Sequence, residues 1–206
     1  ERSRTMLLFL KHPKETAMIA GLTAAGSLSF YAYTTYIQKF LVNTSGFTKT
    51  QATEINAGAL LIFMCIQPLA GWLSDRIGRK KVLAGSFGLA AVMAYPLFST
   101  LGATTNEGAA FGLVLLGLVV ISGYTAISAV IKAELFPAHI RALGVALPYA
   151  VANAAFGGTA EYVALWFKAQ GDESRFYIYL SLMAAIACVI ALFMRDTQRD
   201  SLIHED

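Results

Sequence analysis

Polar side chains lie along one helical face of two apolar stretches of the sequence, residues 17–40 and 109–131. On the first stretch they are Thr23, Ser27, Tyr31, Thr34 and Gln38, within about 80° of arc. On the second they are Ser122, Thr125 and Ser128, continuing to Lys132, within roughly 120° and with Tyr124 at the border. Such groups bind ligands through hydrogen bonds. The two aligned faces predict a shared water-filled path rather than isolated interhelical hydrogen bonds.

A third apolar stretch, residues 143–167, carries an amide and a carboxylate on one face. Asn153, Gly157 and Glu161 follow one another at four-residue steps. A carboxylate within a membrane costs a few kcal/mol, so such groups face cavities and take part in ion or proton movement. We expect Glu161 to couple protons, since Glu54 lies at the interfacial start of its own stretch. We expect substrate contacts from Tyr31, Gln38, Tyr124, Ser128 and Asn153.

Six apolar runs long enough to cross a bilayer would position these side chains, since a membrane helix needs about 17 to 25 residues. They are residues 17–40, 52–73, 82–101, 109–131, 143–167 and 176–194. Only 14% of the 206 residues are charged, against about 25% in ordinary soluble domains. The sequence therefore predicts an all-α membrane protein, with a cytoplasmic linker at 1–16, a six-helix bundle at 17–194 and a cytoplasmic tail at 195–206.

Lysine and arginine are distributed unevenly between the two ends of these predicted spans. Twelve fall on one side and four on the other. Cytoplasmic loops carry the excess of positive charge, so both termini are expected in the cytoplasm, with the chain crossing a cell inner membrane. The opening residues ERSR resemble the middle of a cytoplasmic connection, and we expect a fragment of a longer protein.

Other classes of function find little support in the sequence. No nucleophile-base set or metal-ligand spacing occurs within the spans, so we expect neither an enzyme nor a metal site nor a cofactor. A filter motif or a ring of charges, typical of channels, is also missing. The basic residues are spread over four separate segments, which does not favour nucleic-acid binding.

Two charged loops resemble signatures of the major facilitator superfamily. The segment GWLSDRIGRKK, residues 71–81, is similar to the family's G-x-x-x-D-R-x-G-R-[RK] loop, and it follows the second span as the resemblance requires. The segment KAELFPAHIRALG is similar to the E-x-x-P-x-x-x-R loop, with Glu134, Pro137 and Arg141 matched. The resemblance implies a gating cluster, in which Arg79 pairs with Glu134. Its members would be Asp75, Arg76, Arg79, Glu134 and Arg141.

Three longer segments resemble the metabolite:proton symporter branch of that superfamily. They are AAGSLSFYAYTTYIQKFLVNTSG, AELFPAHIRALGVAL and YAVANAAFGGTAEYVAL. The resemblance implies the C-terminal half of a twelve-helix transporter with a 3+3 inverted repeat. Glu161 stands where many relatives have proline, which favours a dicarboxylate such as α-ketoglutarate.

The function implied by this resemblance is symport of a small carboxylate with a proton, by alternating access. The partners implied are the lipid bilayer and an N-terminal six-helix half, with no nucleic acid. Citrate, betaine and sugars stay open as alternative substrates, as does a non-transporting receptor of the same fold.

Overall fold

The structure, a computed structural model, describes residues 12–195, except for the side chains of Ala138 and His139. The predicted linker and tail therefore lie mostly outside the described residues. The elements are α1 (Pro13–Tyr31), π1 (Ala32–Tyr36), α2 (Ile37–Asn43), α3 (Lys49–Ile77), α4 (Arg79–Ala103), α5 (Glu107–Thr125), α6 (Ser128–Glu134), α7 (Ala138–Ala152), π2 (Asn153–Gly157), α8 (Ala160–Ala169) and α9 (Ser174–Phe193). The two π segments are single wide turns within longer helical rods.

Five helical stretches of the described residues are long and apolar enough to cross a membrane. They are Lys49–Ile77, Arg79–Ala103, Glu107–Glu134, Ile140–Ala169 and Ser174–Phe193. The first predicted span, 17–40, coincides with the helical run from Pro13 to Asn43, which is not among the five. Its serine, threonine and tyrosine side chains make that run more polar than the others. The prediction of an all-helical membrane protein is confirmed, whereas the six-span count and the inverted repeat stay predictions.

Local sequence signals set the ends of several helices. Thr48 caps α3, because its hydroxyl oxygen accepts a hydrogen bond from the Gln51 backbone N–H. In turn, the Gln51 side-chain oxygen accepts a hydrogen bond from the Thr48 backbone N–H. Asn106 accepts from the Ala109 amide and starts α5 in the same way. Gly78 separates α3 from α4 at φ 104°, a conformation that residues with a side chain rarely adopt. This turn brings the charged residues of segment 71–81 together.

The helix α1 lies at the centre of the bundle and packs against α5, α7, π2 and α9, while α4 packs against α5 and α9. The core near α2 is aromatic. Phe40 and Phe98 meet edge to face at 5.2 Å between ring centres, and Phe98 stacks on Tyr177 at 5.4 Å. Each such pair stabilises the bundle by about 0.5–1.5 kcal/mol beyond the area it buries. The polar face of α1 is thereby held at the bundle centre.

Large apolar side chains cover much of the outer surface of the bundle. Val92, Tyr162 and Phe193 are each more than two thirds exposed. In water so extensive an apolar surface would promote aggregation. Lipid chains solvate it instead, which agrees with the apolar composition of the five long helical stretches.

Candidate functional site

A central pocket of about 230 Å³ opens between the first rod and the helices α5 to α7. Its polar lining is formed by Ser27, Tyr31, Tyr124, Thr125, Ser128, Tyr149 and Asn153. Four of these seven residues, Tyr31, Tyr124, Ser128 and Asn153, are substrate contacts expected from the sequence, and the structure brings them together from α1, α5, α6 and π2.

Two glycines allow the tyrosines of the pocket to lie against neighbouring helices. A Cβ atom at Gly26 would overlap the ring of Tyr124. A Cβ atom at Gly157 would lie 2.9 Å from ring carbons of Tyr31. Carbon atoms that are not bonded normally approach no closer than about 3.5 Å. Both aromatic walls of the central pocket therefore require glycine on the facing helix.

Gln38, the fifth expected substrate contact, lies apart from the central pocket. It lines a separate recess with Lys39, Lys49 and Thr53, and its Nε2 donates to Thr53 Oγ1 at 2.7 Å. The π1 turn lies between Tyr31 and Gln38, and a π turn holds about one residue more than an α turn. One residue corresponds to about 100° of helix rotation. Gln38 thus lies outside the central pocket, and its role as a substrate contact stays a prediction.

Lys132 is a further functional candidate. The sequence placed it at the end of the polar face of the second stretch but predicted no role for it. Only 3% of it is exposed. Its Nζ donates to Tyr124 Oη at 3.0 Å and lies 4.6 Å from the centre of the Tyr149 ring. Its spacing of four from Ser128 and eight from Tyr124 was visible in the sequence. Its burial follows from the packing of α7 and could not be read from the sequence.

Glu161 lies in the first turn of α8 and forms an ion pair with Lys39 of α2. The two side chains are 34% and 52% exposed, respectively. Glu161 does not line the central pocket. The partner lysine was not anticipated, because the contact joins residues more than a hundred positions apart. The proton-coupling role of Glu161 stays a prediction.

A second acidic residue, Glu173, organises a polar cluster that the sequence analysis missed. Its carboxylate accepts hydrogen bonds from Tyr36 Oη at 2.9 Å and from Thr44 Oγ1 at 2.9 Å. Lys168 contacts both Thr44 and Glu173, with 3.4 Å between Lys168 Nζ and a Glu173 carboxylate oxygen. This Glu173 cluster joins the first rod to the connection between α8 and α9. Glu173 falls in a predicted loop, where sequence alone gives no sign of burial.

Arg79, Asp75 and Glu134 form a charged group, the Arg79 cluster, at the start of α4. The other end of α4 contacts Ser45, whose hydroxyl donates to the Leu101 carbonyl. Arg79 forms an ion pair with Glu134, and its Nη2 lies 3.3 Å from Asp75 Oδ1. The Glu134 side chain is 6% exposed, so the Arg79–Glu134 pair is nearly buried. Three of the five residues expected to form a gate are thus joined by ion pairs.

The other two expected gate residues lie beside this cluster. The Arg76 guanidinium sits 4.2 Å from the centre of the Trp72 ring. Arg141 donates from Nε to the Phe136 carbonyl at 3.2 Å, which ties α7 to the loop before it. A further arginine, Arg195, donates to the Leu135 carbonyl at 3.2 Å. Backbone carbonyls of this loop are therefore held by guanidinium groups, and the gating role of the cluster stays a prediction.

Comparison with known proteins places the chain among transporters. The family model described as sugar (and other) transporter matches residues 2–206. The alpha-ketoglutarate permease of Escherichia coli (strain K12) is 52% identical over 177 residues, which cover 86% of this chain and 41% of the permease. The ectoine/proline transporter of Corynebacterium glutamicum is 29% identical over 91% of this chain and 36% of its own length.

A third relative, the shikimate transporter of Escherichia coli (strain K12), is 26% identical over 92% of this chain and 44% of its own length. The chain thus spans less than half the length of these curated relatives. No solved structure matches the chain.

Proposed function

Because the chain belongs to the sugar (and other) transporter family of the major facilitator superfamily, we propose that it forms the C-terminal, six-helix half of a proton-coupled symporter. The substrate we propose is a dicarboxylate such as α-ketoglutarate. The 52% identity to a protein named alpha-ketoglutarate permease supports this substrate over those of the more distant relatives. The sixth span is the run from Pro13 to Asn43, which exceeds the about 20 residues that crossing requires.

The central pocket is the observation that carries the proposal. Hydroxyl and amide groups from five elements converge there, within a bundle whose outer surface is apolar. In secondary transporters the substrate site lies near the bilayer midplane, between repeats that rock against each other. The missing N-terminal half supplies the facing wall and closes the site by alternating access. Both termini of the present half lie in the cytoplasm, as the distribution of Lys and Arg favours.

The two polar clusters support alternating access, because they lie at opposite ends of the bundle. The Arg79 cluster fastens the cytoplasmic end, where α3, α4 and the loop after α6 meet. The Glu173 cluster fastens the outer end, where the first rod meets α8 and α9. An inner gate and an outer gate that open in turn require separate sets of contacts of this kind.

The proposal is tested by uptake into proteoliposomes that contain the intact parent, meaning the full-length protein of which this chain is the proposed C-terminal half. Radiolabelled α-ketoglutarate should accumulate in proteoliposomes under an inward proton gradient, and unlabelled α-ketoglutarate should compete better than citrate, betaine or glucose. Accumulation of betaine or citrate in place of α-ketoglutarate would refute the substrate. Binding without counterflow of any of the four would indicate a receptor of the same fold.

Replacement of Glu161 by glutamine should abolish proton-driven accumulation in the intact parent and spare counterflow of α-ketoglutarate. Glutamine cannot release or take up a proton, so the ion pair with Lys39 no longer switches with protonation. Both activities are measured in the same proteoliposomes, with and without a proton gradient. The matched control is Glu54→Gln, an exposed carboxylate on α3, for which both activities should persist. Normal accumulation by Glu161→Gln would contradict the role.

Replacement of Asp75 by asparagine should shift the resting population toward the inward-open state without abolishing substrate binding. The uncharged amide weakens the contact with Arg79 at the cytoplasmic end and leaves the central pocket intact. The population is measured as the accessibility of introduced cysteines from each side of the membrane. Lys81→Gln, which removes an exposed charge of the same loop, is the control. Identical accessibility in Asp75→Asn and the wild type would refute the prediction.

A further inference from the structure

The buried ammonium of Lys132 has no carboxylate partner among the residues that the structure describes. The ion pairs there join other residues: Lys39 with Glu161, Arg79 with Asp75 and Glu134, Lys168 with Glu173, and Arg175 with Asp172. Burying an unpaired charge is costly, and cations in membrane helices normally pair with an anion or face a cavity. Lys132 therefore needs an explanation beyond packing.

The aromatic ring of Tyr149 stabilises this cation while it lacks a counterion. Lys132 Nζ lies 4.6 Å from the centre of the Tyr149 ring and 5.2 Å from the centre of the Tyr124 ring. The Tyr149 distance falls within the about 6 Å over which a ring face attracts a cation, whereas the hydrogen bond places Lys132 Nζ beyond the Tyr124 hydroxyl. The contact with Tyr149 offsets part of the cost of burial.

The hydrogen bond between Lys132 and Tyr124 fixes the direction of the tyrosine hydroxyl. An ammonium group only donates, so Tyr124 Oη is the acceptor at 3.0 Å. The hydroxyl proton of Tyr124 must then point away from Lys132. Tyr124 itself lines the central pocket, together with Ser128 and Tyr149. A hydroxyl whose oxygen accepts from a cation is a stronger donor, because hydrogen bonds in a chain polarise one another.

We propose that Lys132 and Tyr124 form the anion-binding element of the central pocket, in which the Tyr124 hydroxyl donates to one carboxylate of the substrate and Lys132 supplies the positive charge behind it. The proposal rests on the proposed function and deepens it. Lys132 is a positioning residue, since it acts on the substrate through Tyr124. The Ser128 hydroxyl, one turn from Lys132 on the same helix face, provides a second donor to that carboxylate.

Every arginine in the five long apolar stretches lies at or next to the end of a stretch, so none is placed in the middle of a span to bind a carboxylate. The Lys132–Tyr124 element explains how this half nevertheless recognises an acid. A neutral pocket of hydroxyl groups would bind sugars and dicarboxylates with little discrimination. A cation behind the hydroxyl favours the negatively charged ligand, because charge-assisted hydrogen bonds are about twice as strong as neutral ones. A dicarboxylate therefore places one carboxylate here and the other against the missing half.

The test uses the intact parent with Lys132 replaced by methionine, which keeps the length and the apolar stem of the side chain. We expect KM for α-ketoglutarate to rise about 10- to 100-fold, the loss associated with a hydrogen bond to a charged group. The maximal rate should change far less. Lys81→Met, which alters an exposed residue of the cytoplasmic loop, is the matched control and should leave KM unchanged.

Two further measurements separate binding from structure. Addition of α-ketoglutarate should raise the Tm of the purified wild type and should no longer raise the Tm of Lys132→Met, whose own Tm stays equal or higher because a buried charge has gone. Tyr124→Phe should raise KM by a similar factor, and the double variant should be no worse than either single one, since both act on the same carboxylate.

The outcomes distinguish this inference from the proposed function. If the wild-type parent neither takes up nor is stabilised by α-ketoglutarate, the proposed function is wrong and the inference is lost with it. If the wild type transports α-ketoglutarate and Lys132→Met keeps both its KM and the ligand-induced rise in Tm, the inference alone is overturned. A Lys132→Met protein with a lower Tm and an unchanged ligand-induced rise would show a structural role only, and would also overturn it.

Discussion

Glu134→Gln in the intact protein should lower the free energy of unfolding by about 3 kcal/mol, because it removes the nearly buried counterion of Arg79 and leaves that guanidinium only its contact with the exposed Asp75. Only 6% of the Glu134 side chain and 19% of the Arg79 side chain are exposed. Glutamine has almost the same shape as glutamate, so no cavity forms and the effect reports the lost charge. The loss should appear as a lower Tm of the purified protein and as greater cysteine accessibility from the cytoplasmic side.

The control for this experiment is an ion pair of the same type that lies in water. Arg175 Nε lies 2.7 Å from Asp172 Oδ2, and these side chains are 63% and 38% exposed. Exposed pairs contribute little because solvent screens them, so Asp172→Asn should leave the Tm unchanged. An equal fall in Tm for Glu134→Gln and Asp172→Asn would show that the burial of the Arg79–Glu134 pair has no energetic consequence.

Gly26→Ala should disable the central pocket, although it adds a single methyl group. The new Cβ would overlap the Tyr124 ring, whose hydroxyl accepts from Lys132 and whose centre lies 5.2 Å from that of Phe87. Overpacking of this kind costs about 1–3 kcal/mol. The ring must move, and the hydroxyl that lines the pocket moves with it. We expect α-ketoglutarate uptake to fall by at least about tenfold at equal protein in the membrane.

A second glycine of the bundle provides the comparison. The Cβ of an alanine at Gly112 meets no heavy atom within 4 Å. Gly112→Ala, within α5, should therefore keep full uptake and stabilise the helix by up to about 1 kcal/mol. Uptake and membrane abundance are measured for both variants. Full activity of Gly26→Ala would mean that the Tyr124 ring is free to move without loss of binding.

The helices could be predicted from the sequence because a membrane span requires an apolar run of fixed length. The predicted run 52–73 corresponds to Lys49–Ile77, and 176–194 corresponds to Ser174–Phe193. The helix Lys49–Ile77 is longer than its apolar run, because it starts at the cap Thr48 and its last turn includes charged residues such as Arg76. Hydropathy therefore locates a span and leaves its ends undetermined by several residues.

Four of the five substrate contacts expected from the sequence line the central pocket, including Asn153 of π2. Tyr31 and Asn153 both reach the pocket, as their helical faces indicated. Gln38 lies in a separate recess beyond π1, and its role stays a prediction. Lys132 and Glu173 were missed for another reason: the burial of Lys132 and the contacts of Glu173 with Tyr36 and Thr44 are decided by tertiary packing.

The wide turns π1 and π2 also bear on how the walls of the pocket can move. The Gly157 backbone of π2 lies against the Tyr31 ring, just before π1 begins. A π turn that reverts to α pitch expels one residue and twists all that follows by about 100°. A change from π to α pitch in either rod would therefore rotate the residues beyond it relative to the central pocket, which Tyr31 and Asn153 line.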